Sequence, residues 1–202
     1  MQTNIFIKLA VFSLDEEGLK IFLSNGNMPE IGLEKSKGLD SGAKLLLKNM
    51  TGIDNGLYYQ EQLYTFFDKA KDQRIIDIVY FILIPIYMVK KYLKQNWYPV
   101  DGKLPISKYN QNIVNYSLQR LRWKVDYTNV VYSLLPEEFS FFKLQNTYEA
   151  ILGRSLDKRN FRKKIMSLNL LKSTGIKKQS GKARPAYLYR FKDRELKYVK
   201  II

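Results

Sequence analysis

The chain has no cysteine and no histidine. Without cysteine there is no disulfide and no thiol nucleophile. Without histidine, zinc sites of the Cys/His type, every His-dependent catalytic triad and the usual neutral-pH general base are excluded. Catalysis would have to run on carboxylates, Lys, Tyr or a hard metal ion. Long hydrophobic runs are missing too. The longest, Ile78 to Val89, spans 12 residues and is interrupted by Pro85, whereas a membrane-crossing helix needs about 20. It reads as a buried strand running into a loop. The N-terminal stretch from Met1 to Leu14 lacks the basic head and small-residue cleavage site of a signal peptide. These absences lead us to expect a cytoplasmic protein with no membrane partner.

What is present is a chain of 202 residues, 46% hydrophobic and 14% aromatic. That is enough for one medium domain or two small ones with real cores. The net charge of +15 is unevenly spread. Residues 128–202 carry 17 Lys+Arg against 6 Asp+Glu, a net of +11, while residues 1–127 carry 17 against 13, a net of +4. Positive charge concentrated on one module is the electrostatic footprint of a nucleic-acid binder.

The front part alternates strand and helix signals. Asn4–Leu14 and Leu19–Ser24, separated by the turn at Asp15–Gly18, read as a hairpin. Residues 25–37 hold Gly26, Pro29 and Gly32 and read as a loop. Asp40–Met50 predicts a short helix closed by Thr51-Gly52. Leu57–Phe67 and Arg74–Ile84 read as two long strands with a polar connection between them, and Lys90–Pro105 as irregular chain. Ser107 can cap a helix to about Lys124, on which Val114, Leu118, Leu121 and Val125 make one apolar stripe. We place a domain boundary here, giving domains 1–126 and 127–202. The order of strands and helices indicates a mixed α/β sandwich in the first.

In the second domain, Ser140 can cap a helix on which Leu144, Tyr148, Ile151 and Leu152 share a face. Gly153-Arg154-Ser155 makes a tight turn, and a second helix runs from about Asp157 to Leu168. Two strands, Leu170–Thr174 and Pro185–Phe191, flank the basic loop 175–184. Two helices across a short turn, then a basic hairpin, describe a winged helix-turn-helix. If Phe161 faces the core, the roughly 100° per residue of a helix places Ile165 and Leu168 beside it. Arg159 and Lys163 then point away, flanked by Asn160 and Arg162, with Lys158 at the helix start. Guanidinium and amide groups suit guanine and adenine edges, and ammonium groups suit phosphate. The wing adds Lys177, Lys178, Lys182 and Arg184. Tyr187, Tyr189 and Phe191 alternate as one strand face and should pack inward, leaving no aromatic platform for single strands.

Several motifs carry a family resemblance. In the front they are Gln62-Leu63-Tyr64-Thr65-Phe66 with Asp68 and Arg74, Trp97-Tyr98-Pro99-Val100-Asp101 and Leu118-Gln119-Arg120-Leu121-Arg122. In the back they are Leu134-Leu135-Pro136, Phe139-Ser140, Tyr148–Gly153, Leu156–Lys164 and Arg184–Phe191. On these, residues 1–127 resemble a Nudix-type domain, and the whole chain resembles the NrtR-type Nudix-related transcriptional regulators. The resemblance implies a Nudix-like mixed-sheet α/β/α sandwich followed by an α+β winged helix-turn-helix. It also implies a homodimer on a pseudo-palindromic operator in double-stranded DNA. The effector it implies is a small molecule, either ADP-ribose, another nucleotide of NAD metabolism, or a sugar. Tyr64, Phe66, Asp68 and Arg74, on the matched strands, are the candidate ligand residues. The Asp-His pair common in such regulators stands here as Asn110-Gln111.

The catalytic Nudix box is not matched. With Gly52-Ile53 as its closing pair, the first Glu falls on Lys37, the Arg-Glu pair on Leu45-Leu46, and the two metal-binding glutamates on Asn49 and Met50. A hard dication needs several anionic oxygens, and from Gly38 to Ile53 the one acid is Asp40. We therefore expect no metal, no cofactor and no hydrolysis, and read the chain as a repressor with a ligand-sensing front domain. The alternative is a divergent Nudix-type phosphohydrolase with a nucleic-acid-binding C-terminal domain.

Overall fold

The computed structural model describes residues 2–54, 58–70, 73–89, 91–179 and 185–202. The chain divides into two compact units, Met1–Arg120 and Leu121–Ile202.

In the first unit the organising element is β1 (Gln2–Leu14). From Ile7 to Phe12 it is buried on both faces, as a central strand covered on two sides must be. β2 (Leu19–Phe22) returns antiparallel to its upper end, as the hairpin reading expects. The rest of β1 does something that local patterning does not announce. Its residues 2–12 pair in parallel with β5 (Gln73–Leu83), far away in sequence. β4 (Tyr59–Ala70) lines the other side of β5, antiparallel, with a bulge between Gln62 and Tyr64. The mixed sheet has the order β4-β5-β1-β2-β6, β6 being Trp97–Pro99. The segment 25–37 is not all loop, because β3 (Glu30–Gly32) pairs with β1 at Phe6–Lys8 and a 3-10 turn follows at Leu33–Lys35. Likewise 90–105 contains the strand β6 and a 3-10 segment at Lys91–Asn96.

Helix α1 (Leu39–Thr51) ends where expected, on Gly52 at φ 73°, a left-handed position that glycine takes without penalty. Its buried Ala43, Leu46 and Leu47 pack on Ile7, Leu9, Tyr80 and Ile82. Helix α2 (Lys108–Tyr127) starts with Ser107 Oγ accepting the Asn110 N–H at 3.1 Å. Its stripe Val114, Leu118, Leu121, Val125 is buried. α2 lies on the opposite sheet face, where its Tyr116 ring meets Tyr64 and Phe66 and its Arg120 pairs with Glu61. Helix, mixed sheet, helix is the expected three-layer sandwich.

The second unit takes in the end of α2, a 3-10 turn at Val130–Ser133, β7 (Phe139–Ser140), α3 (Phe141–Leu152), α4 (Lys158–Ser167), β8 (Leu171–Lys178) and β9 (Ala186–Phe191). The sheet order is β7-β9-β8. β7 was not foreseen, since two residues are too short for a periodic signal. β8 also runs four residues beyond Thr174, taking Lys177 and Lys178 out of the expected loop and into the strand. Gly175 at φ 76° sits in the register shift that permits this. The tail returns to the end of α2, where Val199 and Ile201 donate to the carbonyls of Tyr127 and Asp126.

Candidate functional site

The helix-turn-helix is held by its polar groups as much as by its core. Ser140 Oγ caps α3 by accepting the Lys143 N–H at 3.1 Å, and the Asp157 carboxylate caps α4 by accepting the Asn160 N–H at 2.8 Å. Between the helices, the Glu149 carboxylate accepts the Leu156 N–H at 2.8 Å and the Gln145 amide at 3.0 Å, while that same amide nitrogen donates to the Leu156 carbonyl at 3.1 Å. Gly153 supplies the turn at φ 68°. Phe161 and Ile165 anchor α4, with Phe161 edge-on to Tyr148 at 5.1 Å and to Phe141 at 5.8 Å. Burying two such side chains contributes about 1.5–3 kcal/mol each, which fixes the rotation of the helix. Lys158, Arg159, Asn160 and Lys163 are all exposed on it.

Arg162 differs from the other four. It is exposed, yet its guanidinium donates to the Tyr189 hydroxyl at 2.9 Å and lies 4.7 Å from the centre of the Phe141 ring. It is therefore tied to its own domain. In the hairpin, Tyr189 and Phe191 pack inward, but Tyr187 is 48% exposed, with Lys177 over its ring at 4.7 Å. The inward reading of Tyr187 fails because the register shift in β8 comes opposite it. Lys177 and Lys178 are exposed, whereas Lys182 and Arg184 lie outside the described residues.

In the first unit the registers decide which side chains share a face. Phe6, Asp77 and Phe66 stand in one row across β1, β5 and β4. Asn4, Ile75 and Asp68 form a second, and Lys8, Val79 and Tyr64 a third. Tyr64, Phe66 and Asp68 are thus brought together on the face that α2 covers. Arg74, aligned with Thr3 and Lys69, has the opposite parity and points to the other face. Tyr64 and Phe66 pack on Tyr116, and none of the four candidates lines the cavity described next.

A cavity of about 610 Å³ opens where β1, β5 and the start of α2 meet. At its centre is a charge cluster that sequence reasoning missed. Lys8, 4% exposed, bonds to the Asp77 carboxylate at 2.7 Å, to Glu30 at 3.1 Å and to Asn110 Oδ1 at 3.2 Å. Asp77 is fully buried. The Tyr109 ring lies 5.4 Å from the Lys8 ammonium. Burial, then the negative charge of Asp77, pushes the Tyr109 hydroxyl well above the usual phenol range. The available signal was a lone charge in each of two apolar runs, Lys8 between Ile7 and Leu9 and Asp77 between Ile76 and Ile78. A charge inside a buried strand must find a partner. Met50, at a metal-glutamate position of the resemblance, and Leu46 also line this cavity. Asp40, the acid of α1, accepts from the Tyr80 hydroxyl at 2.7 Å. Among the described residues, no three acidic side chains gather as a metal ion would require.

Comparison with known proteins bears on both units. Residues 131–191 match the NrtR DNA-binding winged helix domain. Over 204 aligned residues the chain is 30% identical to the ADPR responsive transcriptional repressor NtrR of Acinetobacter baylyi, spanning 92% of this chain and 80% of that one. The chain belongs to the NrtR family. Its fold is that of Shewanella oneidensis NrtR, solved in complex with a 27mer DNA, at a TM-score of 0.80 and 22% identity over 93% of each chain. A MutT/nudix family protein from Enterococcus faecalis matches at a TM-score of 0.67 and 14% identity, over 95% of this chain and 87% of that one. The NrtR-family chain thus combines a Nudix-like mixed α/β unit with a winged helix, and its relative in Acinetobacter is a regulator rather than an enzyme. Among the described residues no helix is long and apolar enough to cross a membrane.

Proposed function

We propose that this chain is a transcriptional repressor that responds to ADP-ribose. Residues 127–202 hold double-stranded DNA and residues 1–126 sense the metabolite. The observation that carries the proposal is the rigidly capped α4, with Lys158, Arg159, Asn160 and Lys163 exposed, in a chain 30% identical to an ADPR-responsive repressor. Arg159 and Asn160 are the base-reading candidates. Lys158, Lys163, Lys177 and Lys178 are the phosphate-holding ones, joined by Lys182 and Arg184 of the wing. Arg162 serves to orient α4 through Tyr189. Two copies would present two recognition helices to half-sites one or more helical turns apart.

The front domain binds without turning over. Asn49 and Met50 offer no carboxylate where the Nudix box needs two, and Lys37 and Leu46 replace its other acids. Incubation with ADP-ribose and magnesium, followed by an assay for AMP, tests this half of the reading. No product above background is expected, and chelator-sensitive turnover would overturn it. Titrating a labelled duplex, selected by the protein from a random pool, with and without ADP-ribose tests the other half.

A further inference from the structure

The hydrogen-bond chemistry of the cavity is more selective than its volume, which lies within the roughly 300–1,000 Å³ usual for small-molecule sites. An ammonium has three donors, and those of Lys8 meet three acceptors, Asp77, Glu30 and Asn110 Oδ1. Among the described lining residues Lys8 is the one cation. It is outnumbered by two carboxylates, so this floor carries no positive charge to spare for a phosphate. The remaining polar lining is neutral, with amides at Asn4, Asn25, Asn27 and Gln73 and hydroxyls at Ser24 and Ser107.

Two buried atoms at this floor lack partners. Asp77 Oδ1, on a fully buried side chain, accepts nothing, and Tyr109 Oη, which feels the charge of Asp77, completes no hydrogen bond. A buried carboxylate oxygen left open costs about 1–3 kcal/mol or more, and its complement is a donor. A phosphate oxygen at neutral pH supplies none. A sugar hydroxyl donates to Asp77 and accepts from Tyr109 at once. A nucleobase has the right polarity, but it would want an aromatic face, and the ammonium of Lys8 sits over that of Tyr109.

We infer that the floor of this cavity takes a neutral pentose ring, with Asp77 Oδ1 and the Tyr109 hydroxyl as partners of its hydroxyls and any diphosphate left toward the mouth. The inference rests on the sensor reading above and names which end of the effector is read. It predicts that the distal ribose of ADP-ribose supplies the discrimination, so ADP, which lacks it, binds poorly.

Calorimetric titration of the full chain with ADP-ribose, ADP, D-ribose and L-arabinose tests this, in wild type and in Asp77→Asn and Tyr109→Phe. The expected result is ADP-ribose binding at least tenfold tighter than ADP. Asp77→Asn should lose most of that difference, with its ADP affinity unchanged. Tyr109→Phe, which leaves the Lys8–Asp77 pair intact, should narrow the difference several-fold and serves if the Asp77 variant does not fold. Equal binding of ADP-ribose and ADP, or equal losses for both in the variants, would overturn the inference and leave the effector reading standing. Binding of a free pentose that depends on Asp77, without binding of ADP-ribose, would sustain the inference and overturn ADP-ribose as effector. No binding by any of the four would overturn both.

Discussion

Lys8→Met is the most informative single change to the sensor unit. The methionine keeps most of the apolar stem and removes the ammonium. Asp77, fully buried and 2.7 Å from that ammonium, is then left with an uncompensated charge. Removing one member of a buried pair costs about 3–5 kcal/mol. The Glu30 contact adds little, because that side chain is 47% exposed and such pairs are worth about 0–1 kcal/mol. Asp77→Leu alone leaves Lys8 with Glu30 and Asn110 and should cost less. The double variant Lys8→Met/Asp77→Leu removes both charges and should recover most of the loss, because paired replacement by apolar groups is often neutral. The chain's two tryptophans make the assay clean. Trp97 is buried in the first unit, and Trp123 lies in the second. In a Trp123→Phe background, urea unfolding followed by Trp97 fluorescence reports the sensor alone. With a slope of about 1–3 kcal/mol per molar urea, Lys8→Met should lower the midpoint by about 2 M. A loss below about 1 kcal/mol, or a double variant no better than Lys8→Met, would refute the view that this pair is a coupled, buried unit.

The remaining predictions concern the winged helix. Arg159→Ala should cost about 1–3 kcal/mol on the selected duplex and relax sequence choice, whereas Lys178→Ala should weaken all duplexes alike and flatten the salt slope. Equal losses on specific and random DNA for Arg159→Ala would remove its base-reading role. Asp157→Ala, which deletes the α4 cap, should cost about 0.5–2 kcal/mol of stability by thermal unfolding of residues 121–202 within the full chain. Tyr148 is wholly buried, and desolvation holds its hydroxyl above the usual phenol value of 10.0. The unfolded chain therefore loses that proton first. The contribution of Tyr148 is fully present below pH 10 and is lost as pH rises above it. Tyr148→Phe should flatten that alkaline fall in stability, and an unchanged pH profile would contradict the assignment.

The winged helix was largely legible because its signals are local. Ser140, Gly153 and the Phe161/Ile165 spacing each mark a cap, a turn or a face within a few residues, and the structure uses each as read. The sensor's elements were legible for the same reason, but its centre was not. Lys8 and Asp77 are 69 residues apart and meet only because β1 and β5 pair in parallel, a non-local choice that patterning of either strand leaves open. Arg74 illustrates the limit from the other side. It belongs to the right strand and the right motif, but a register shifted by one residue reverses a side chain's face, and it falls opposite Asp68. Tyr187 was misplaced for a related reason, since strict alternation assumes a regular ladder and β8 shifts register at Gly175.

The account turns on whether a metabolite bound by the front domain alters the grip of the back domain on DNA. The direct measurement is fluorescence anisotropy of the selected duplex titrated with full-length protein at fixed salt, with and without saturating ADP-ribose. A coupling of about 1–3 kcal/mol predicts a change in apparent Kd of at least fivefold, absent in Lys8→Met where the cavity floor is broken. Superimposable curves with and without ADP-ribose, from protein that binds the duplex tightly, would contradict it.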